Sequence, residues 1–153
     1  VTIPEKIPIE RIEDYHTHYL GQSSDGKQFW AHSTHVFVKT YAEILEIQGD
    51  WQDYRHEYAV LHTFDKDGNH LTSNCFNCGT SKDVTDKMLY DKLEEMVCQL
   101  GVIEFKDIEI KPFQSKIDDI IYGLVPDENN EYINLEPNSQ ISFVPPWDGT
   151  YST

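Results

Sequence analysis

The chain of 153 residues carries 27 Asp and Glu against 12 Lys and Arg, a formal net charge of -15. A surface this acidic repels nucleic acid and anionic membrane and attracts basic partners, and no run approaches the roughly 20 consecutive apolar residues of a membrane span. With 39% hydrophobic and 12% aromatic residues, the composition is that of a globular chain rather than a disordered one, and its length suits a single domain, residues 1–153, with a real core.

The start, Val1-Thr2-Ile3-Pro4-Glu5-Lys6, lacks a basic region followed by an apolar one, and the odd set Cys75, Cys78 and Cys98 fits reduced thiols better than a disulfide framework. The cytoplasm is the default location.

In chain order, Ile9 to Leu20 and Gln28 to Lys39 read as two strands around Gln22-Ser23-Ser24-Asp25-Gly26-Lys27, a segment of turn formers. Tyr41 to Gln52 alternates less cleanly and reads as a short helix or loop carrying Trp51 and Tyr54. Tyr58–Phe64 and Leu71–Phe76 flank Asp67-Gly68, a strong hairpin signal. From Asp83 to Leu100, the spacing of Leu89, Leu93, Met96, Val97 and Leu100 predicts a helix with one apolar stripe, a C-cap at Gly101 and an exposed Cys98 opposite the stripe. Strand-like runs follow at Ile108–Ile110, Ile120–Val125, Tyr132–Leu135 and Ile141–Val144, punctuated by prolines at their ends. Strands, one main helix and more strands predict an α+β fold: a mostly antiparallel sheet of hairpins with one amphipathic helix packed on it.

Two constellations carry metal-ligating side chains. A two-residue turn at Asp67-Gly68 makes paired residues sum to 135, which sets Val60 opposite Cys75 and His62 opposite Ser73 on one sheet face. His62, Cys75 and Cys78 are then the zinc candidates. His70 is assigned to the other face because it pairs with Asp65, and a structural site wants four ligands. Reduced thiols without metal are the expectation, and no cofactor is called for. Among the histidines, His16 and His18 share a strand face, and a two-residue Asp25-Gly26 turn sets His35 opposite His16. A register one residue away substitutes His32.

Phosphate-cradling glycine loops and a nucleophile elbow are absent from the sequence, as are basic stripes with interleaved aromatics. Asp118-Asp119 and Asp127-Glu128-Asn129-Asn130-Glu131 form acidic segments in turn-like contexts. Asp118, Asp119, Asp127, Glu128 and Glu131 are expected as the charged rim of a protein interface. Tyr15, Tyr19 and Trp30 are the residue types that most often anchor one, with a core role as the alternative, especially for Trp30 between Phe29 and Ala31.

Pro4–Ile9, Tyr58–Asp65 with Asp67-Gly68, Asp107–Phe113, and the closing Pro146-Trp147-Asp148-Gly149-Thr150-Tyr151 resemble a family of small bacterial proteins often labelled formate hydrogenlyase regulatory protein HycA. The resemblance implies an antagonist of a transcriptional activator and brings no functional residues with it. Three functions follow as expectations. The first is a non-enzymatic, bacterial, cytoplasmic inhibitor of the immunity type that masks a basic toxin. The second is a regulatory protein that binds an activator. A small His/Cys metal-binding protein is the third.

Overall fold

The computed structural model of the chain describes residues 3–12 and 16–153. The fold is α+β, with antiparallel strand pairs throughout the described residues.

Two hairpins build the central sheet. The first joins β2 (Tyr19–Ser23) to β3 (Gln28–Phe37), and the second joins β4 (Arg55–Phe64) to β5 (His70–Thr80). Both are closed by three residues rather than the expected two. Ser23 N–H donates to Lys27 O at 2.8 Å around Ser24-Asp25-Gly26, and Asp65 N–H donates to Asn69 O at 2.8 Å around Lys66-Asp67-Gly68. In each loop the third residue is a glycine at positive φ, +89° for Gly26 and +88° for Gly68, as a three-residue loop with a left-handed final residue requires. Carboxylates stabilise both: Asp65 accepts the N–H groups of Asp67 and Asn69, each at 2.9 Å, and Asp25 accepts from Lys27 N–H at 3.2 Å.

Loop length fixes register. In the first hairpin Tyr19 pairs with Ala31 and Leu20 with Trp30, one residue away from the register that sets His35 opposite His16. In the second, Phe64 pairs with His70, and a bulge at Leu71 then restores the expected alignment: Thr63 with Thr72, His62 with Ser73, Val60 with Cys75. A second bulge lies between Glu57 and Tyr58.

β6 (Ile103–Phe105) completes a five-stranded sheet of order β5-β4-β3-β2-β6. Its two faces are dressed differently, as strand alternation demands. Phe29, Ala31, Ala59 and Leu61 face α2 (Asp86–Cys98), which lays Leu93, Met96 and Val97 on them. The helix begins later than Asp83 because Thr85 is its N-cap, accepting Met88 N–H at 3.2 Å. Gly101, at φ +87°, follows its end, and Cys98 is exposed as its place off the stripe predicts.

Leu20, Trp30 and Phe64 face the other way. They meet a second five-stranded sheet, order β12-β11-β10-β9-β8, made of β8 (Phe113–Ile117), β9 (Ile120–Pro126), β10 (Ile133–Glu136), β11 (Ser142–Phe143) and β12 (Tyr151–Ser152). Leu124, Ile133, Leu135 and Phe143 supply its inner face. A ribbon of β1 (Ile7–Ile9) and β7 (Ile108–Ile110) adds four isoleucine side chains to the same core. Ile9 therefore ends a strand paired far along the chain instead of opening a long one that reaches Leu20. Trp30 is fully buried at the centre of this layer, and truncating such a residue to Ala costs about 3–5 kcal/mol.

Candidate functional site

The bulge at Leu71 reassigns a histidine. Because His70 pairs with Phe64 rather than Asp65, it shares the face of His62, contrary to the sequence expectation. Ser73 Oγ sits 2.6 Å from His62 Nδ1 and 2.7 Å from His70 Nε2, while His70 stacks on Phe113 at 4.7 Å. One strand over, the His32 ring lies 5.7 Å from that of His62. His32 and His62 are fully buried, and Nε2 of each meets no hydrogen-bond partner among the described residues. Burial pushes His32 down to about 4 and His62 well below the usual imidazole value, so both are neutral near pH 7. Ser73 and His62 approach like a nucleophile and its base, but His62 Nε2 lacks the orienting third group that such a pair uses.

The cysteines do not converge. Cys75 points toward the second sheet, bonded to Tyr122, and burial raises its thiol to about 11. Cys78, the extra residue of the second bulge, packs on the α2 side against the Tyr19–Leu93 cluster, and burial raises its thiol as well. The two thiols thus lie on opposite faces of the sheet. Of the other histidines, His16 lies edge-on to Tyr151, His18 to Tyr19, and His35 to Phe37. Among the described residues no group of three or more His, Cys, Asp or Glu is arranged to hold a metal ion.

The acidic segments are exposed but separate. Asp118 and Asp119, at φ 52° and 64°, form the two-residue turn from β8 to β9, and Asp119 reaches Lys116 at 3.8 Å. Asp127 to Glu131 lie at the far end of β9, whose seven residues span about 20 Å, so the two segments do not make one rim. Asp127 is a brace of its own loop. Its carboxylate accepts the N–H groups of Glu131 at 2.6 Å, Tyr132 at 3.2 Å and Asn129 at 3.3 Å. Desolvation pushes its pKa up, and these bonds outweigh it and hold the carboxyl below its ordinary range. Glu128 and Glu131 face solvent.

The aromatic anchors fall elsewhere than expected. Trp30 is core, its indole N–H donating to His16 O at 2.7 Å, and Tyr19 is buried under α2 with its hydroxyl 3.3 Å from Glu94. Neither projects from the open surface as an anchor would. Tyr15 lies outside the described residues.

Three exposed aromatics, Phe37, Tyr41 and Trp51, follow one another from the end of β3 onward; Phe76, Phe105 and Tyr132 are exposed elsewhere. Thr40 caps α1 (Tyr41–Glu46) in a capping box with Glu43, and only Ile44 of this six-residue helix is buried. That leaves Phe37, Val38, Tyr41, Leu45, Ile47 and Trp51 exposed, Tyr41 at 74% and Trp51 at 42%. Phe37 and Trp51 stand 6.4 Å apart, and the Arg55 guanidinium lies 4.6 Å from the Trp51 centroid. Glu43, Glu46, Asp50 and Asp53 are interspersed with them in sequence, against Lys39 alone between residues 37 and 53. Lys82 reaches in to Asp53 at 3.5 Å and Asp50 at 3.9 Å. The signal for this surface was in the chain: Tyr41, Ile44, Leu45 and Ile47 are more apolar residues than so short a helix can turn inward at once.

No family model matches the chain, and neither curated proteins nor solved structures yield a match.

Proposed function

We propose that this chain is a non-enzymatic binding module of the cytoplasm that docks a basic protein through the α1 surface, as an immunity-type inhibitor masking a basic toxin does. The observation that carries the reading is the exposed group Phe37, Tyr41, Leu45, Ile47 and Trp51, with Glu43, Glu46, Asp50 and Asp53 interleaved. Phe37 and Trp51 are in ring contact, Tyr41 and Leu45 share one face of α1 as an i, i+4 pair, and exposed apolar side chains of this kind mark interaction sites. Trp and Tyr are the side chains that most often dominate binding energy, and a net charge of -15 speeds encounter with a basic surface. A nuclease-type toxin suits such a surface because a cleft that attracts phosphate is complementary to carboxylates.

Affinity capture from the native cell tests this, with the natural chain and a Tyr41→Ser, Leu45→Ser, Trp51→Ser variant side by side and the eluates read by mass spectrometry. A basic protein retained by the natural chain and lost by the variant is the expected result. Equal retention by both, or an acidic partner, contradicts it. If the captured protein is a transcriptional activator instead of a toxin whose activity the chain suppresses, the regulatory reading replaces the inhibitor reading at the same surface.

A further inference from the structure

A concave site lies on the α2 side of the central sheet, between the end of the helix and the β2–β6 edge. It is a cleft of about 280 Å³ lined by His18, Tyr19, Glu94, Val97, Ile103 and Phe105, with the exposed Cys98 also on its wall. Strand pairing assembles it: β6 runs beside β2 with Phe105 opposite Gly21, which brings Phe105 to 6.1 Å from Tyr19. His18 stands edge-on to Tyr19 at 4.5 Å and 6.0 Å from Phe105. Three rings and two aliphatic side chains thus share the wall of the cleft with one carboxylate. We propose that this cleft binds an alkylammonium group, the ammonium against Glu94 and the rings, and the alkyl body against Val97 and Ile103.

The chemistry selects a cation. Among the described residues that line it, Glu94 is the only Asp, Glu, Lys or Arg. Its carboxylate takes one bond from the Tyr19 hydroxyl at 3.3 Å, leaving its charge and remaining lone pairs open to a cation, with or without N–H groups. Burial leads in pushing the Tyr19 hydroxyl up to about 12, and the Glu94 charge, with weaker contributions from Tyr90 and Asp91, adds a negative field in the same direction. An anion in the cleft meets that field. A neutral apolar guest desolvates the carboxylate and returns nothing for it. An ammonium bearing a short alkyl chain answers both halves of the wall, because aromatic faces and carboxylates each attract it. Phe105 already carries one cation on its ring, the Arg11 guanidinium at 4.6 Å from the centroid. Arg11 is held by its own bond to His18 O at 2.7 Å and does not line the cleft. The volume sits at the lower end for ligand sites and suits on the order of ten non-hydrogen atoms.

The ammonium has two possible sources, a free small amine and a lysine side chain of a peptide. The test uses the full chain in NMR titrations with choline, with its neutral isostere 3,3-dimethylbutan-1-ol, and with a lysine blocked at both its amino and carboxyl termini. Alkylation of Cys98 by iodoacetamide is followed in parallel. Choline is expected to shift amide resonances around Glu94 to Phe105 and to slow Cys98 alkylation by about threefold or more, with the neutral isostere at least about tenfold weaker. Glu94 is exposed, so Glu94→Gln leaves the fold intact and weakens choline by roughly tenfold. Phe105→Ala, also at an exposed position, weakens it by about three- to tenfold. Blocked lysine binding more tightly than choline assigns the site to a peptide, and the reverse assigns it to a free amine. Equal binding of the neutral isostere, indifference to Glu94→Gln, or no shifts with any ammonium at about 20 mM, far beyond ordinary ligand affinities, overturns the proposal. The α1 surface is not involved in these measurements, so either idea can fail alone.

Discussion

Trp30 stands directly opposite His62 on neighbouring strands, and both are fully buried between the two sheets. With His32 packed 5.6 Å from the indole and 5.7 Å from His62, the centre of the protein holds two imidazoles that fold in the neutral form.

Acid sensitivity follows from that arrangement. Both groups have folded pKa values below the ordinary 6.5, His32 at about 4 and His62 well below 6.5, with burial as the leading cause. The unfolded chain therefore takes up protons that the folded chain refuses. The stability these residues allow is complete well above pH 6.5 and is lost as pH falls through 6.5 toward 4, at up to about 1.4 kcal/mol per pH unit for each histidine. Urea unfolding at pH 7.5, 6.5 and 5.5 measures it. The free energy should fall by less than about 1 kcal/mol over the first interval and by about 2 kcal/mol over the second, and a level or rising value from 6.5 to 5.5 contradicts the buried neutral histidines.

For metal, the thiols on opposite faces lead to a plain expectation. The purified protein should contain no stoichiometric zinc, and chelator should leave its Tm unchanged, because Cys75 and Cys78 cannot reach one ion without breaking β5. One zinc per chain by elemental analysis refutes this geometry.

The acidic loop after β9 separates two roles that its sequence merges. Asp127→Ala removes the acceptor of three backbone N–H groups and should lower Tm. Glu128→Ser with Glu131→Ser should leave Tm nearly unchanged, since exposed charges contribute little to folding. Thermal unfolding of the two variants decides it, and equal Tm values reject the brace.

How far the chain announced this structure depends on what each feature rests on. The α2 stripe of Leu93, Met96 and Val97 is local periodicity, and the α+β class follows from counting such segments. The pairing of His62 with Ser73 was legible for a less secure reason: a three-residue loop and the bulge at Leu71 offset one another. The same loop length at Ser24-Asp25-Gly26 has no bulge among its paired residues to compensate, so there the expected register is off by one. His70 lies at the bulge itself, and its face was misassigned for that reason. The pairing of Ile7–Ile9 with Ile108–Ile110 joins segments about a hundred residues apart, which no local pattern encodes. Trp30 and Tyr41 show the limit for sites. The apolar neighbours Phe29 and Ala31 lean Trp30 toward the core, but the packing of a second sheet over it and the exposure of Tyr41 are what tell core from surface.

The most direct test of docking at α1 is the association rate with the captured partner at two ionic strengths, for the natural chain and the Tyr41→Ser, Leu45→Ser, Trp51→Ser variant. Screening shortens from roughly 30 Å at 0.01 M to about 8 Å at 0.15 M salt. The natural chain should therefore associate at least about tenfold more slowly at the higher salt. The variant, which keeps every charge, should show the same salt dependence with much faster dissociation, because the anchors and not the carboxylates hold the complex. A rate indifferent to salt, together with unchanged dissociation of the variant, contradicts the account.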